Sequence, residues 1–188
     1  MITDLFAQNL INTPALDARL LLCAACQIDD VQLILQDNQT LPLTQARSLA
    51  KLVTARLSGQ PVSRIINHRE FYGLPFRLSK HTLDPRPDSE TLVTAVLDKL
   101  LSQHPSQAQL TKTHKDKKLS VLDLGTGSGC LLLAVLSELP NAMGLGVDIS
   151  AGALRMARLN ASLNGLRARA FFRQSHWFSH VSGRFDII

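Results

Sequence analysis

The chain has 188 residues, 45% of them apolar and 19% charged, with a formal net charge of +5. This suits one ordinary domain, or two small ones with a real core. There is no apolar run of about 18 residues and no basic-then-apolar N-terminus, which argues against a membrane span and a secretory signal. The moderately basic balance permits an RNA or ribosome-associated partner without requiring one.

Residues 1 to about 66 read as helical. Thr13 before Pro14 gives an N-cap followed by proline at the first helical position. The helix it opens runs to about Cys26, with Leu16, Leu20 and Cys23 on its apolar face. A short second helix covers roughly Asp30 to Gln36. A third starts near Thr44, carries Leu49, Leu52, Val53 and Leu57 on one face, and ends at Gly59. Helices this short are stable only when bundled, so residues 1–68 are expected to form a small helical domain. Cys23 and Cys26 form a C-x-x-C inside an apolar helical run. A redox motif would follow a strand and a zinc site needs four ligands, so these are expected to be buried structural thiols, with no metal site. Three cysteines in a chain without a secretory signal fit a reducing cytoplasm.

The pattern changes at Glu70. Phe71-Tyr72-Gly73-Leu74-Pro75-Phe76-Arg77-Leu78 reads as a hairpin with Gly73 in the turn, within a linker over 69–84. Pro85 and Pro87 force an extended entry, and Asp88 or Ser89 can cap the following helix, Glu90 to about Leu101. Its periodic apolar residues are Leu92, Val93, Val96, Leu97 and Leu100. Gln103 to Lys118 is a polar run, and its Lys112, Lys115, Lys117 and Lys118 read as a solvated linker.

Ser120-Val121-Leu122 then gives a buried strand, and Asp123-Leu124-Gly125-Thr126-Gly127-Ser128-Gly129 a turn with bare backbone on one face. Leu131 to Leu139 reads as a helix stopped by Pro140. A ligand can approach such a turn closely, and helix-start N–H groups favour an acceptor there. A dinucleotide fingerprint would place its third glycine at Cys130, so that match is incomplete. Asp148 ends the next apolar run at about the 20-residue offset at which an acid meets ribose hydroxyls. Beyond it come a helix capped by Ser150 and closed by Asn164-Gly165, a strand at about Ala170 to Arg173, and the start of a fourth strand at Phe185 to Ile188. This alternation implies a parallel sheet with helices on both faces. Gly125–Gly129, Asp148 and the Ser175–Trp177 loop should gather at the strands' carboxyl ends.

The D-x-G-x-G-x-G arrangement resembles motif I of the class I methyltransferases, which bind S-adenosylmethionine (AdoMet). Arg69-Glu70-Phe71-Tyr72-Gly73, Pro85-Arg86-Pro87-Asp88-Ser89-Glu90 and Gln174-Ser175-His176-Trp177-Phe178 extend the likeness. Together they resemble the release-factor glutamine methyltransferases, the PrmC/HemK family, over essentially the whole chain. The resemblance implies an α/β fold: an N-terminal helical substrate-recognition domain, then a Rossmann-like AdoMet-binding domain over 85–188 with an incomplete sheet. It implies AdoMet as cofactor and the glutamine of the Gly-Gly-Gln loop of class I release factors as substrate. Gly125, Thr126, Gly127, Ser128 and Gly129 would contact the methionine part and Asp148 the ribose. Trp177 would form a wall near the adenine, its other readings being a core or surface aromatic. Arg86 and Glu90 would shape the rim, the alternatives being a loop salt bridge and a helix-start acid.

Two positions depart from the family pattern: His176 stands where an acid is usual, and Asp84 where an apolar residue is. The family's Asn-Pro-Pro-Tyr motif, which holds the substrate amide, would lie beyond Ile188. No residue of this chain is therefore expected to be catalytic, and the chain itself is expected to be inactive. A monomer in the cytoplasm, with no membrane and no direct nucleic-acid contact, is the accompanying expectation. The rival readings are an N6-adenine type nucleic-acid methyltransferase, a non-catalytic AdoMet- or partner-binding fragment and, more distantly, an NAD-dependent oxidoreductase.

Overall fold

The computed structural model describes residues 2–35, 39–102 and 118–188. The polar run with Lys112, Lys115 and Lys117, and the end of the second predicted helix at Gln36, lie outside the described residues. The chain divides into two compact units, Met1–Asn67 and His68–Ile188.

The first unit contains α1 (Ile2–Gln8), α2 (Pro14–Cys26), α3 (Asp30–Leu35), α4 (Leu43–Leu57) and α5 (Val62–Ile66). Phe6, Leu21, Ala25, Leu49 and Val53 form its core. The buried face of α2 is one residue away from the expected stripe. Asp17, Leu21 and Ala25 are buried while Leu16 is 44% exposed. One residue turns a helix by about 100°, and a buried ion pair sets the choice. Arg56 of α4 donates from Nε to Asp17 at 2.7 Å, and the Thr13 hydroxyl donates to the same carboxylate at 2.8 Å. Thr13 therefore spends its side chain on Asp17 and caps no backbone amide. Gln27, with φ +58°, closes α2 by donating its N–H to the Cys23 carbonyl.

The second unit opens with a hairpin, β1 (His68–Phe71) and β2 (Leu74–Arg77), whose two-residue turn places Tyr72 and Gly73 both at positive φ. Such turns match the natural twist of paired strands. Phe71 and Phe76 are fully buried and meet edge-to-face, with centroids 6.2 Å apart. The hairpin thus packs as part of the second unit. A 3₁₀ turn (Pro87–Ser89) leads directly into α6 (Glu90–Ser102). Neither Asp88 nor Ser89 caps it with a side chain; the Asp88 carbonyl accepts the Thr91 hydroxyl. Val93 is buried and Leu92 is exposed.

The sheet is β3 (Ser120–Leu124), β4 (Met143–Asp148) and β5 (Ala170–Gln174), parallel and in that order, joined by α7 (Cys130–Glu138) and α8 (Ala151–Leu163). Gly144 and Gly146 make room on one face of β4. A Cβ at Gly144 would meet Leu132 of α7 at 2.6 Å, and one at Gly146 would meet Thr126 at 2.7 Å and Phe172 at 2.8 Å. The two right-handed crossovers run in the same direction, so α7 and α8 lie on one face. The sequence implies helices on both faces; among the described residues the two crossover helices cover one. On the other, Phe171 remains 49% exposed. Residues 186–188 return to the far edge of β3: Ile187 bridges Val121, and its carbonyl accepts the Leu122 N–H. The predicted fourth strand is this single rung among the described residues. Strand order therefore reverses at β3, where ligands of such sheets collect.

Leu133 has no exposed surface and sits in the centre of this unit's core. Leu133→Ala should cost about 2–5 kcal/mol, read as a lowered urea midpoint for the transition of residues 68–188.

Candidate functional site

The glycine turn is shaped by its neighbours on β4. The Gly125 and Thr126 amides both donate to the Val147 carbonyl, at 2.8 and 2.9 Å. The Gly127 amide donates to Asp148 Oδ2 at 2.9 Å, while Asp148 Oδ1 accepts the Ser150 amide at 2.8 Å. Two backbone donors thus fix the carboxylate at the tip of β4 and leave further lone pairs on each oxygen. Ser150 also caps α8, its hydroxyl accepting the Ala153 amide.

Gly125, Gly127 and Gly129 all have positive φ. The three do different things. A Cβ on Gly125 would touch nothing, and one on Gly127 only the Gly125 carbonyl at 3.9 Å. Gly129 faces inward, where a Cβ would lie 3.3 Å from both Ala157 and Leu133. Two glycines therefore leave open space and the third lets α8 close on the loop. Thr126 and Ser128 are buried. Thr126 donates its hydroxyl to Asp123 Oδ2 at 2.6 Å.

Asp123 is the second acid beside the loop. Burial pushes its carboxyl above the ordinary value of 3.8, and the charge of Asp148 adds to this. The Thr126 hydroxyl and the Leu132 amide pull the other way. Two carboxyl groups bordering one turn disfavour a diphosphate and suit a cationic or hydroxyl-rich ligand. This charge pattern separates the loop from a dinucleotide site more sharply than its glycine spacing does.

The end of β5 is tied to the same tip. The Ser175 amide donates to the Asp148 carbonyl and Gln174 Nε2 to the Ile149 carbonyl. Buried Ser175 donates its hydroxyl to the Trp177 carbonyl and accepts the His180 amide, which holds a tight turn. Trp177 has φ +52° and is 63% exposed, so it is not a core aromatic. A bulky residue held in this region marks a strained position. The loop, Asp148 and the Ser175–Trp177 turn are thus assembled at the carboxyl ends of the strands.

The two expected rim residues lie before and at the start of α6. Glu90 Oε1 accepts the Tyr72 amide at 2.9 Å, tying α6 to the hairpin turn. Arg86 is exposed, with its carbonyl accepting the Ser89 amide. Sequence reasoning passed over Asn160, a fully buried residue of α8 bonded to the Ser128 carbonyl. Its only signal was an amide on a stripe otherwise made of Ala153, Leu154, Ala157 and Ala161. Cys23 and Cys26 are free and half-buried, a correction to the expectation of buried thiols. Burial raises the pKa of both. Among the described residues no cluster of metal-binding side chains occurs, and no helix is long and apolar enough to cross a membrane.

Two substitutions separate loop strain from loop crowding. Gly165 also has positive φ but open space around it. Gly165→Ala should cost about 1 kcal/mol from φ alone, and Gly129→Ala about 1–3 kcal/mol or more because Ala157 resists it; thermal melting compares them. Asp123 gives a pH signature. The stability of its protonated form is fully present below the ordinary carboxyl value and is lost as pH rises through the raised one. Asp123→Asn should therefore be more stable than the parent at neutral pH, with the gap closing below about pH 4, as followed by denaturation across pH.

Comparison with known proteins places the chain among its relatives. The family model "PrmC N-terminal domain" matches residues 1–66 and "Methyltransferase domain" matches 115–188. A release factor glutamine methyltransferase of Agrobacterium fabrum is 40% identical over 93% of this chain and 57% of its own length. One of Bradyrhizobium diazoefficiens is 42% identical over 92% of this chain and 55% of its own. The chain spans about half the length of the curated relatives it matches. Among solved structures, a ribosomal protein L11 methylase from Lactobacillus delbrueckii subsp. bulgaricus is similar with a TM-score of 0.41 and 27% identity, over 54% of this chain and 45% of that one. Carrying both matched domains and close kinship along nearly its full length, the chain belongs to the PrmC family of methyltransferases.

Proposed function

We propose that this protein binds AdoMet on the 125–129 loop and serves methylation of the glutamine side-chain amide in the Gly-Gly-Gln loop of a class I release factor. The observation that carries the cofactor reading is the Asp148 carboxylate, fixed by the Gly127 and Ser150 amides beside open glycine backbone. Its remaining lone pairs suit a vicinal ribose diol. Bound AdoMet supplies an electrophilic methyl group on a sulfonium. The loop's part is to bind and orient: open backbone at Gly125 and Gly127 admits the methionine portion, and the carboxyl groups of Asp123 and Asp148 complement positive charge. Trp177, exposed at the end of β5, is the proposed wall for the adenine. Arg86 remains a proposed rim residue. Glu90 acts through the hairpin it holds.

The release-factor reading is supported by the PrmC N-terminal domain over 1–66 and by what the relatives in Agrobacterium fabrum and Bradyrhizobium diazoefficiens are named for. The first unit is the proposed docking element for that protein. The site accounts for holding the cofactor; no residue here is assigned to activating the amide nitrogen.

Calorimetric titration tests the cofactor: saturable binding of AdoMet is expected, and a nicotinamide dinucleotide bound in its place overturns the reading. Asp148→Asn should weaken AdoMet by about 10- to 100-fold, since an amide accepts on only one of its two terminal atoms. Retention of a class I release factor on the immobilised chain tests the substrate. Capture of RNA instead, with affinity falling steeply as salt rises, carries the nucleic-acid alternative.

A further inference from the structure

Asn160 lies on α8 with no exposed surface. Its side chain makes three hydrogen bonds, all to backbone. Nδ2 donates to the Ser128 carbonyl at 2.9 Å and to the Arg77 carbonyl at 3.1 Å, while Oδ1 accepts the Arg77 amide at 2.9 Å. Both amide hydrogens and one oxygen lone pair are thereby used, and apart from glutamine, one methylene longer, no other side-chain type places two donors and an acceptor in one plane. One buried amide thus holds the last turn of the glycine loop and the end of β2 at once.

The geometry points to Asn160 as a positioning residue for the cofactor loop, coupling the order of that loop to the order of the hairpin. This rests on the reading that the loop holds AdoMet. The Ser128 carbonyl belongs to the peptide that Ser128 shares with Gly129, whose amide donates to the Thr126 carbonyl at 2.8 Å. Pinning that peptide fixes the direction of the amides across the 126–129 turn. Ala157, one turn before Asn160 on α8, packs against Gly129 and fixes the same peptide from the side. The hairpin has two further anchors: Asn164 Nδ2 on the Pro75 carbonyl at 3.0 Å, and Glu90 on the Tyr72 amide. Of the three anchors, Asn160 is the one that also touches the loop. By reciprocity, a ligand that orders the loop also holds the Arg77 amide more tightly, and a hairpin that comes loose weakens the ligand.

The test compares Asn160→Asp with Asn164→Ala, using S-adenosylhomocysteine as the probe. Asn160→Asp keeps the acceptor for the Arg77 amide but turns an oxygen towards two carbonyls. Asn164→Ala cuts a hairpin anchor without touching the loop. Calorimetry should show the Asn160→Asp chain binding about tenfold or more weakly, and the Asn164→Ala chain within about twofold of the parent, even where both melt lower. In the unaltered chain, saturating ligand should slow hydrogen exchange at the Arg77 amide by more than at amides that exchange only through global unfolding, an excess a merely structural asparagine would not give. Parent-like binding by Asn160→Asp, or affinity losses in both variants that simply track their melting temperatures, overturns the positioning role. If Asn160→Asp does not fold, exchange at Arg77 in the parent decides, and slowing no greater than at globally exchanging amides overturns the coupling. A parent that does not bind the probe overturns the cofactor reading itself, which distinguishes that failure from failure of the coupling alone.

Discussion

The carboxylate of Asp148 is the contact on which the second unit's site depends. With its backbone carbonyl, it joins the glycine loop and the Ser175 turn, both distant in the chain, to the neighbouring entry of α8. Its two oxygens take the amides of the glycine loop and of the α8 entry, and its own carbonyl takes the amide that begins the Ser175 turn. Each is a backbone donor, so the arrangement does not depend on rotamers at the loop. A charged acceptor on backbone amides is among the stronger hydrogen bonds a protein makes. Placed beside the point where strand order reverses, it ties the tips of β3, β4 and β5 together.

The second unit's site was legible in the sequence where its parts are close together in the chain. The three glycines, the preceding acid and Asp148 lie within one β-α-β unit whose spacing is set by fold geometry. The Ser150 cap and the Gly73 turn were legible for the same reason, each depending on two or three adjacent residues. What escaped depends on distant partners. Asn160 bonds residues 83 and 32 positions away. Glu90 reads in sequence as a rim residue or a helix-start acid, because its partner, Tyr72, is 18 residues earlier and offers a backbone amide with no signature. The face of α2 was misjudged because Asp17 counts as polar in any periodicity. Only the arrival of Arg56, 39 residues later, makes its burial affordable.

The first unit shows how little core a short helical module can stand on. Five buried apolar side chains from α1, α2 and α4 form its centre. The Asp17–Arg56 pair links α2 to α4, joined by Thr13 and by the Gln60 carbonyl, which accepts from Arg56 Nη1 at 3.2 Å. A pair with this many partners specifies which helix faces meet, a role that apolar contacts alone fill less sharply.

The two glycines of β4 carry a consequence for the order in which the sheet assembles. Gly144 and Gly146 give the strand little intrinsic preference for extension and no side chains on the α7 face. Its stability is borrowed from Leu132, Thr126 and Phe172, which fill the space above it. The central strand is thus the one least able to nucleate. Its extended form depends on its neighbours, since α7 and β5 supply the side chains that enclose it.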